Sequence, residues 1–327
     1  MTNEELFQKC FTLLISDINE TVEFPRPLLA HYCSMATLEN ILKGKQLWLS
    51  NPLFMNDLEE VRFGVNAGMR IVMSNPTLKN ALSDGVRADE FMRAMDSLFK
   101  NFANEHAFDL YVACFSKHDP QENDGRLTMW RAYGANGDGA ALVLDINPIS
   151  NPNTDYSGLF LGPVHYGTTQ ERENWLELRV NETAQFIHEQ QVPTHQLPFV
   201  AAALFERIKL MAIFSKHRGF LDEQEWRLVY MHEHDRKKVY EQYLDYHLTP
   251  RGIEPKLKLP VHGAVPWITQ PLDISSLVNR ILLGPSVSNP LAMRSIGRML
   301  DVTGLSVLRG KLVASTIPLR PTTRGPY

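Results

Sequence analysis

The chain has 327 residues, 44% of them hydrophobic and 21% charged, with a formal net charge of −4. That balance excludes a disordered chain, leaves room for a large core, and gives no global pull toward nucleic acid. Cys10, Cys33 and Cys114 are odd in number and widely spaced, so neither a disulfide framework nor a zinc knuckle is indicated.

The opening "MTNEELFQKC" lacks a signal-peptide core, and residues 4–16 predict a first helix. "LLAHYCS" predicts a strand with Leu29, His31 and Cys33 on one face and Ala30, Tyr32 and Ser34 on the other. A short helix over 36–43 follows, with Gly44 placed to end it in the left-handed conformation. "QLWLS" predicts the next strand. Helices are expected from Asp57 to about Ser74 and from about Ala88 to Glu105. "FDLYVACFSK", "GAALVLDI" and "GLFLGPVHYG" have strand composition, the second introduced by the turn "GANGDG". Two helices follow, at about 169–190 and 198–216. In the second, Ala201, Leu204, Phe205, Ile208, Met211 and Ala212 share a face. Glu206, Arg207 and Lys209 within it argue against a bilayer span, and no membrane partner is expected. A cytoplasmic protein is expected. "QEWRLVYM" and "RILLGPS" predict strands, 289–302 a helix, and "LSVLRGKLV" a closing strand.

Strands and helices do not alternate regularly. The expectation is an α+β fold with a mixed or antiparallel sheet, a single domain over 1–327 in which 147–222 is a largely helical insertion or cap. Residues 251–327 carry ten Lys/Arg against Glu254, Asp273 and Asp301, a local +7 that leaves −11 on the rest. Such an end is either a solvated surface or a contact for phosphate or a partner.

Four places concentrate polar residues beside apolar strands. The first is His31-Tyr32-Cys33-Ser34. The second, "SNPLFMNDLEE", starts at Ser50 and sets Asn56 and Asp57 at a helix start, where Asp57 can act simply as an N-cap. The third, "LTMWRAYGANGDG", places Trp130 and Tyr133 three apart on a short helix, a spacing that suits two core aromatics. The fourth is "DEQEWRLVY". Trp226, Leu228 and Tyr230 alternate as a buried face, so Glu223, Glu225 and Arg227 take the other. Two carboxylates there can hold a ribose hydroxyl pair or stabilise positive charge in a transition state. "HEHD" at 232–235 has no third metal ligand spaced nearby, and "GANGDG" lacks the ending of a phosphate loop.

As a set, "HYCS", "LENILKGKQLWLSNPLFMNDLEE", "ACFSK", "LTMWRAYGANGDGAALVLDI" and "EQEWRLVY" resemble the bacterial domain of unknown function 2971 family over most of residues 28–321. "RGIEPKLKL", "ILLGPS" and "STIPLR" resemble one branch of it. Cys33-Ser34, Leu58 and Leu319 depart from its commoner residues. The motif order is also similar to the ADP-ribosyltransferase superfamily. That resemblance implies a split-sheet core with inserted helices, cleaving NAD+ as substrate without a metal. It would pass ADP-ribose to a macromolecule, protein or nucleic acid, or to water. It implies catalytic roles for His31, Glu223 and Glu225. Glu225 would hold the nicotinamide ribose, His31 a ribose hydroxyl and the amide region, and Tyr133 or Trp130 would stack on nicotinamide. Tyr32, Ser34, Ser50, Asn56, Asp57 and Arg227 would complete the nucleotide contacts. Relatives of this kind sit in toxin or phage-defence settings. The alternatives are a non-catalytic nucleotide-sensing module using the same cleft, and a metal-dependent nuclease built on Asp57, Glu59, Glu60 and the basic end.

Overall fold

The computed structural model describes residues 1–17, 25–54, 58–104, 106–147, 158–249, 252–264 and 271–319, with side chains at 58–60 and 106 excepted. In chain order the elements are α1 (Asn3–Leu14), β1 (Leu28–Cys33), α2 (Met35–Gly44), β2 (Gln46–Ser50), α3 (Leu58–Ser74), α4 (Pro76–Leu82), α5 (Gly85–Asn104), β3 (Leu110–His118), α6 (Leu127–Ala132), β4 (Ala140–Leu144), β5 (Leu159–Pro163), β6 (His165–Gly167), α7 (Thr169–Glu189), α8 (Leu197–Ile213), β7 (Ser215–His217), β8 (Glu225–Met231), β9 (Leu244–Thr249), β10 (Gly252–Pro260), β11 (His262–Gly263), β12 (Leu272–Asp273), α9 (Ile274–Leu277), β13 (Val278–Leu283), α10 (Pro290–Val302) and β14 (Leu312–Ala314). They form two compact units. One draws on 1–22, 51–110 and 162–221, the other on 23–50, 111–161 and 222–327.

The first unit is helical. Its centre is α8, whose sequence LPFVAAALFERIKLMAI is buried on nearly every side and not on one face alone. α3 approaches it closely because Gly64 and Gly68 carry no side chain. A β-carbon at either would lie 2.6 Å from Ala212 or Ile208 of α8. α7 opens with a capping box, Thr168 and Glu171 satisfying each other's backbone N–H groups. The helical unit is wider than the 147–222 segment suggested, since it also takes α1, α3, α4 and α5. "GLFLGPVHYG" divides: β5 pairs with β8, while β6 pairs in parallel with β7 in the helical unit.

The second unit is built on a mixed, largely antiparallel sheet in the order β14-β13-β4-β1-β3-β2-β10-β9, with β8 pairing β3 and β5. The fold is therefore α+β, as the sequence indicates. β13 and β14 run parallel, and only Leu312 and Val313 of "LSVLRGKLV" are strand; Ser306–Lys311 is a 3-10 turn. α2 runs through Gly44, and Lys45 takes the left-handed turn at φ 49° in its place. The sheet opens along β3. β1 pairs with it only at Leu28–Ala30, opposite Ser116–His118, and then continues with β4 to Cys33. β2 meets β3 further along, at Ser50 opposite Val112.

Alternation sorts the side chains into two cores. Leu29, Cys33, Phe115, Leu142, Trp226 and Tyr230 belong to the larger. Ala30, Tyr32, Val143, Met129 and Trp130 belong to the smaller, on the other side. The turn after α6 is pressed against the end of β1. A β-carbon on Gly139 would stand 2.2 Å from the Cys33 carbonyl oxygen. Because that obstacle is backbone, Gly139→Ala should cost about 1–3 kcal/mol or more in urea unfolding. Gly310→Ala, with nothing within 4 Å, should stay within about 0.5 kcal/mol of wild type.

Candidate functional site

The C-terminal half of β3 is the hub. The Ser116 hydroxyl donates to the Glu223 carbonyl at 2.6 Å. The Lys117 N–H donates to the Gln224 carbonyl at 2.9 Å. Gln224 sits at φ 42°, an uncommon conformation for a residue with a side chain. These two backbone anchors fix the turn that leads from Glu223 into β8. Arg126 ties the same turn from the front. Its guanidinium donates to the carbonyls of Lys117 (3.0 Å) and Asp222 (2.9 Å) and to the Gln224 side chain.

Glu223 is 9% exposed, and its Oε1 accepts a hydrogen bond of 2.9 Å from the Tyr133 hydroxyl. Tyr133 itself is 42% exposed. The helical spacing predicted that it would share the face of Trp130. It does not, because α6 ends at Ala132 and Tyr133 leaves the helix at φ −126°. Trp130 is fully buried, meets Tyr32 edge-on at 4.8 Å, and donates from Nε1 to the Asp124 carbonyl. The Tyr32 hydroxyl accepts the Arg126 N–H at 2.9 Å. Burial raises the Tyr32 pKa above its ordinary value. Tyr32, Trp130, Tyr133, Arg126 and Glu223 therefore form one connected cluster.

Glu225 and Arg227 also lie off the Trp226 face, as alternation predicts, but they are engaged with each other. Arg227 Nε and Nη2 donate to the two Glu225 carboxylate oxygens at 2.7 and 3.1 Å, with both residues buried. Glu223 is not on the strand at all; it ends the 3-10 turn Arg218–Glu223.

His31 stands apart from this cluster. It points to the side of Leu29 and Cys33, near the Phe115 ring (5.7 Å), whereas Glu225 faces away from Trp226 and Tyr230 of that same core. The expectation that His31 and Glu225 face each other is corrected by this alternation. His31 fills the opening where β1 leaves β3: its Nδ1–H donates to the Cys114 carbonyl at 3.0 Å. Burial lowers its pKa from 6.5, and the carbonyl opposes that shift only in part. His118 and His165 are lowered by burial as well. The unfolded chain therefore takes up protons first as the pH falls. Stability from these groups is full above about pH 6.5 and lost below it. The melting temperature should drop between pH 7 and 5, and His31→Gln should flatten that drop.

Cys33 is buried, and that burial pushes its thiol up to about 12. Ser34 caps α2 by accepting the Thr37 N–H at 3.1 Å. Ser50 accepts from the Lys256 ammonium at 2.7 Å. Asn56 and Asp57 lie outside the described residues. Arg126 and Ser116 were not singled out by the sequence; "GRLTMW" offers Arg126 only as a residue before a helix. Several cations of the basic end turn inward. Lys258 pairs with Asp245, Arg280 donates to the carbonyls of Pro120 and Glu122, and Lys311 to those of Ser275 and Val278. Among the described residues, no helix is long and apolar enough to cross a membrane.

No curated protein and no solved structure matches the chain. A family model described as "Protein of unknown function (DUF2971)" matches residues 129–228. That stretch runs from Met129 at the Trp130–Tyr133 turn to Leu228 on the Glu-Trp-Arg strand, and over it the chain is similar to the DUF2971 family.

Proposed function

We propose that the sheet unit binds NAD+ and cleaves its nicotinamide–ribose bond, in the manner of an ADP-ribosyltransferase, passing ADP-ribose to a macromolecule or to water. The observation that carries this reading is the pairing of the exposed Tyr133 ring with the Glu223 carboxylate, on a turn whose Asp222 carbonyl accepts from the Arg126 guanidinium. An aromatic face suits the departing base. A carboxylate suits a ribose hydroxyl and the positive charge that builds as the base leaves. A guanidinium suits phosphate. The reading moves the ribose-holding role from Glu225 to Glu223, because Arg227 already occupies the Glu225 carboxylate. A toxin or phage-defence role would follow from the acceptor.

The test is nicotinamide release from NAD+ by the purified protein, with candidate protein and nucleic-acid acceptors supplied. Release that requires the protein supports the reading. Binding of NAD+ without release, followed by calorimetry, supports the sensing alternative.

A further inference from the structure

The hairpin β9–β10 ends the sheet, and β9 is its edge strand. On one face of β9, Leu244, Tyr246 and Leu248 alternate, and Ile253 of β10 lies opposite Leu248. Tyr246, Leu248 and Ile253 are 57%, 67% and 65% exposed. The other face is polar: Asp245 pairs with Lys258 at 2.9 Å, and the His247 ring lies 5.0 Å from Trp48. Edge strands are usually blunted by charge, proline or a bulge. The apolar face of β9 carries none of these.

The backbone of this edge has a definite polarity. Tyr246 lies opposite Pro255, which has no N–H. Opposed antiparallel residues either exchange both hydrogen bonds or turn both groups away. Pro255 cannot exchange, so the Tyr246 N–H and C=O turn to the free edge. There the N–H is taken by the side chain of its own neighbour, Asp245 Oδ1, at 2.7 Å. By period-2 alternation Leu244 and Leu248 present their backbone groups to the same side.

We propose that β9 is a dimer interface, on which a second copy of this chain pairs its own β9 antiparallel about a two-fold axis at Tyr246. This register is self-complementary in three respects. Tyr246 meets the partner's Tyr246 as a pair exchanging both backbone hydrogen bonds. Leu244 meets the partner's Leu248, so the two apolar stripes form one patch. Asp245 meets the partner's His247 on the polar face, an acid against an imidazole, and the Tyr246 N–H exchanges Asp245 for the partner's carbonyl. A shift by one residue would oppose apolar with polar side chains. A shift by two would leave one outward leucine in each copy unpaired.

The experiment is light scattering on the full chain from roughly 1 to 100 µM, joined to cysteine cross-linking. Wild type should reach twice the 37.3 kDa chain mass. Leu248→Lys should weaken dimerisation at least about tenfold, and Leu244→Glu/Leu248→Lys should restore it, because this register opposes the two new charges. Tyr246→Cys should form an intermolecular disulfide on mild oxidation, since opposed residues stand about 5.5 Å apart. Ile253→Cys should not, being three strand spacings across and four residues along, roughly 20 Å, from its counterpart. A wild type that stays at the chain mass throughout overturns the proposal and leaves the edge to a different partner. A dimer indifferent to Leu248→Lys, or one cross-linked equally by Ile253→Cys, overturns it too. Nicotinamide release is read separately, so failure of the interface does not bear on the proposed activity.

Discussion

Glu225→Gln should destabilise the protein by about 3–5 kcal/mol, read as a lower urea midpoint with an unchanged slope. Both members of the Glu225–Arg227 pair are buried, at 4% and 1% exposure, and the contact is bidentate. Two charges taken out of water are tolerable while they face each other. Removing one charge leaves the buried guanidinium without this counter-charge, which is the costly case. A cycle with Arg227→Met isolates the coupling between the two. If Glu225→Gln instead melts like wild type and abolishes nicotinamide release, Glu225 is the chemical carboxylate and Glu223 is not.

The contrast between these glutamates shows what the sequence could and could not convey. The alternation Trp226, Leu228, Tyr230 was enough to put Glu225 and Arg227 on one strand face. An acid and a base two residues apart on one face are also the natural ingredients of an ion pair. What the pattern does not encode is burial of that second face, and burial turns a surface row into a structural pair. Counting twos backwards along the strand puts Glu223 in the same row. The count fails because the chain turns at Gln224, whose positive φ carries no glycine signal. Tyr133 fails in the analogous way for a helix: it stands three positions after Trp130, but the helix stops between them.

The β9–β10 hairpin carries a weak sequence signal because of Pro255. Proline inside an apolar alternation argues against a paired strand. Here it is tolerated because β2 ends at Ser50, opposite Lys256. The missing N–H of Pro255 therefore faces a side with no neighbouring β2 residue. A histidine in an apolar strand needs an acceptor, and the strand that diverges from it supplies the Cys114 carbonyl. Its role as a gap-filling donor, rather than a ligand contact, depends on where β1 and β3 part, which no local pattern specifies.

Glu223→Gln should have the opposite profile to Glu225→Gln: nicotinamide release down by roughly a hundredfold or more, with stability within about 1 kcal/mol of wild type. The backbone of Glu223 is anchored on both sides of its side chain. Its carbonyl is held by Ser116, and the following carbonyl by Lys117. A glutamine keeps the shape and can still accept from Tyr133. What it cannot do is oppose positive charge developing on the ribose, so the loss should fall on kcat more than on KM. Tyr133→Phe separates the two halves of the pair. It keeps the ring that would cover nicotinamide and deletes the hydroxyl that orients the carboxylate, so its loss should be smaller than that of Glu223→Gln. Tyr133→Ala removes both and should raise KM as well. Equal losses for Tyr133→Phe and Tyr133→Ala would mean the ring contacts no substrate. A Glu223→Gln variant with full turnover would remove the carboxylate from the chemistry altogether.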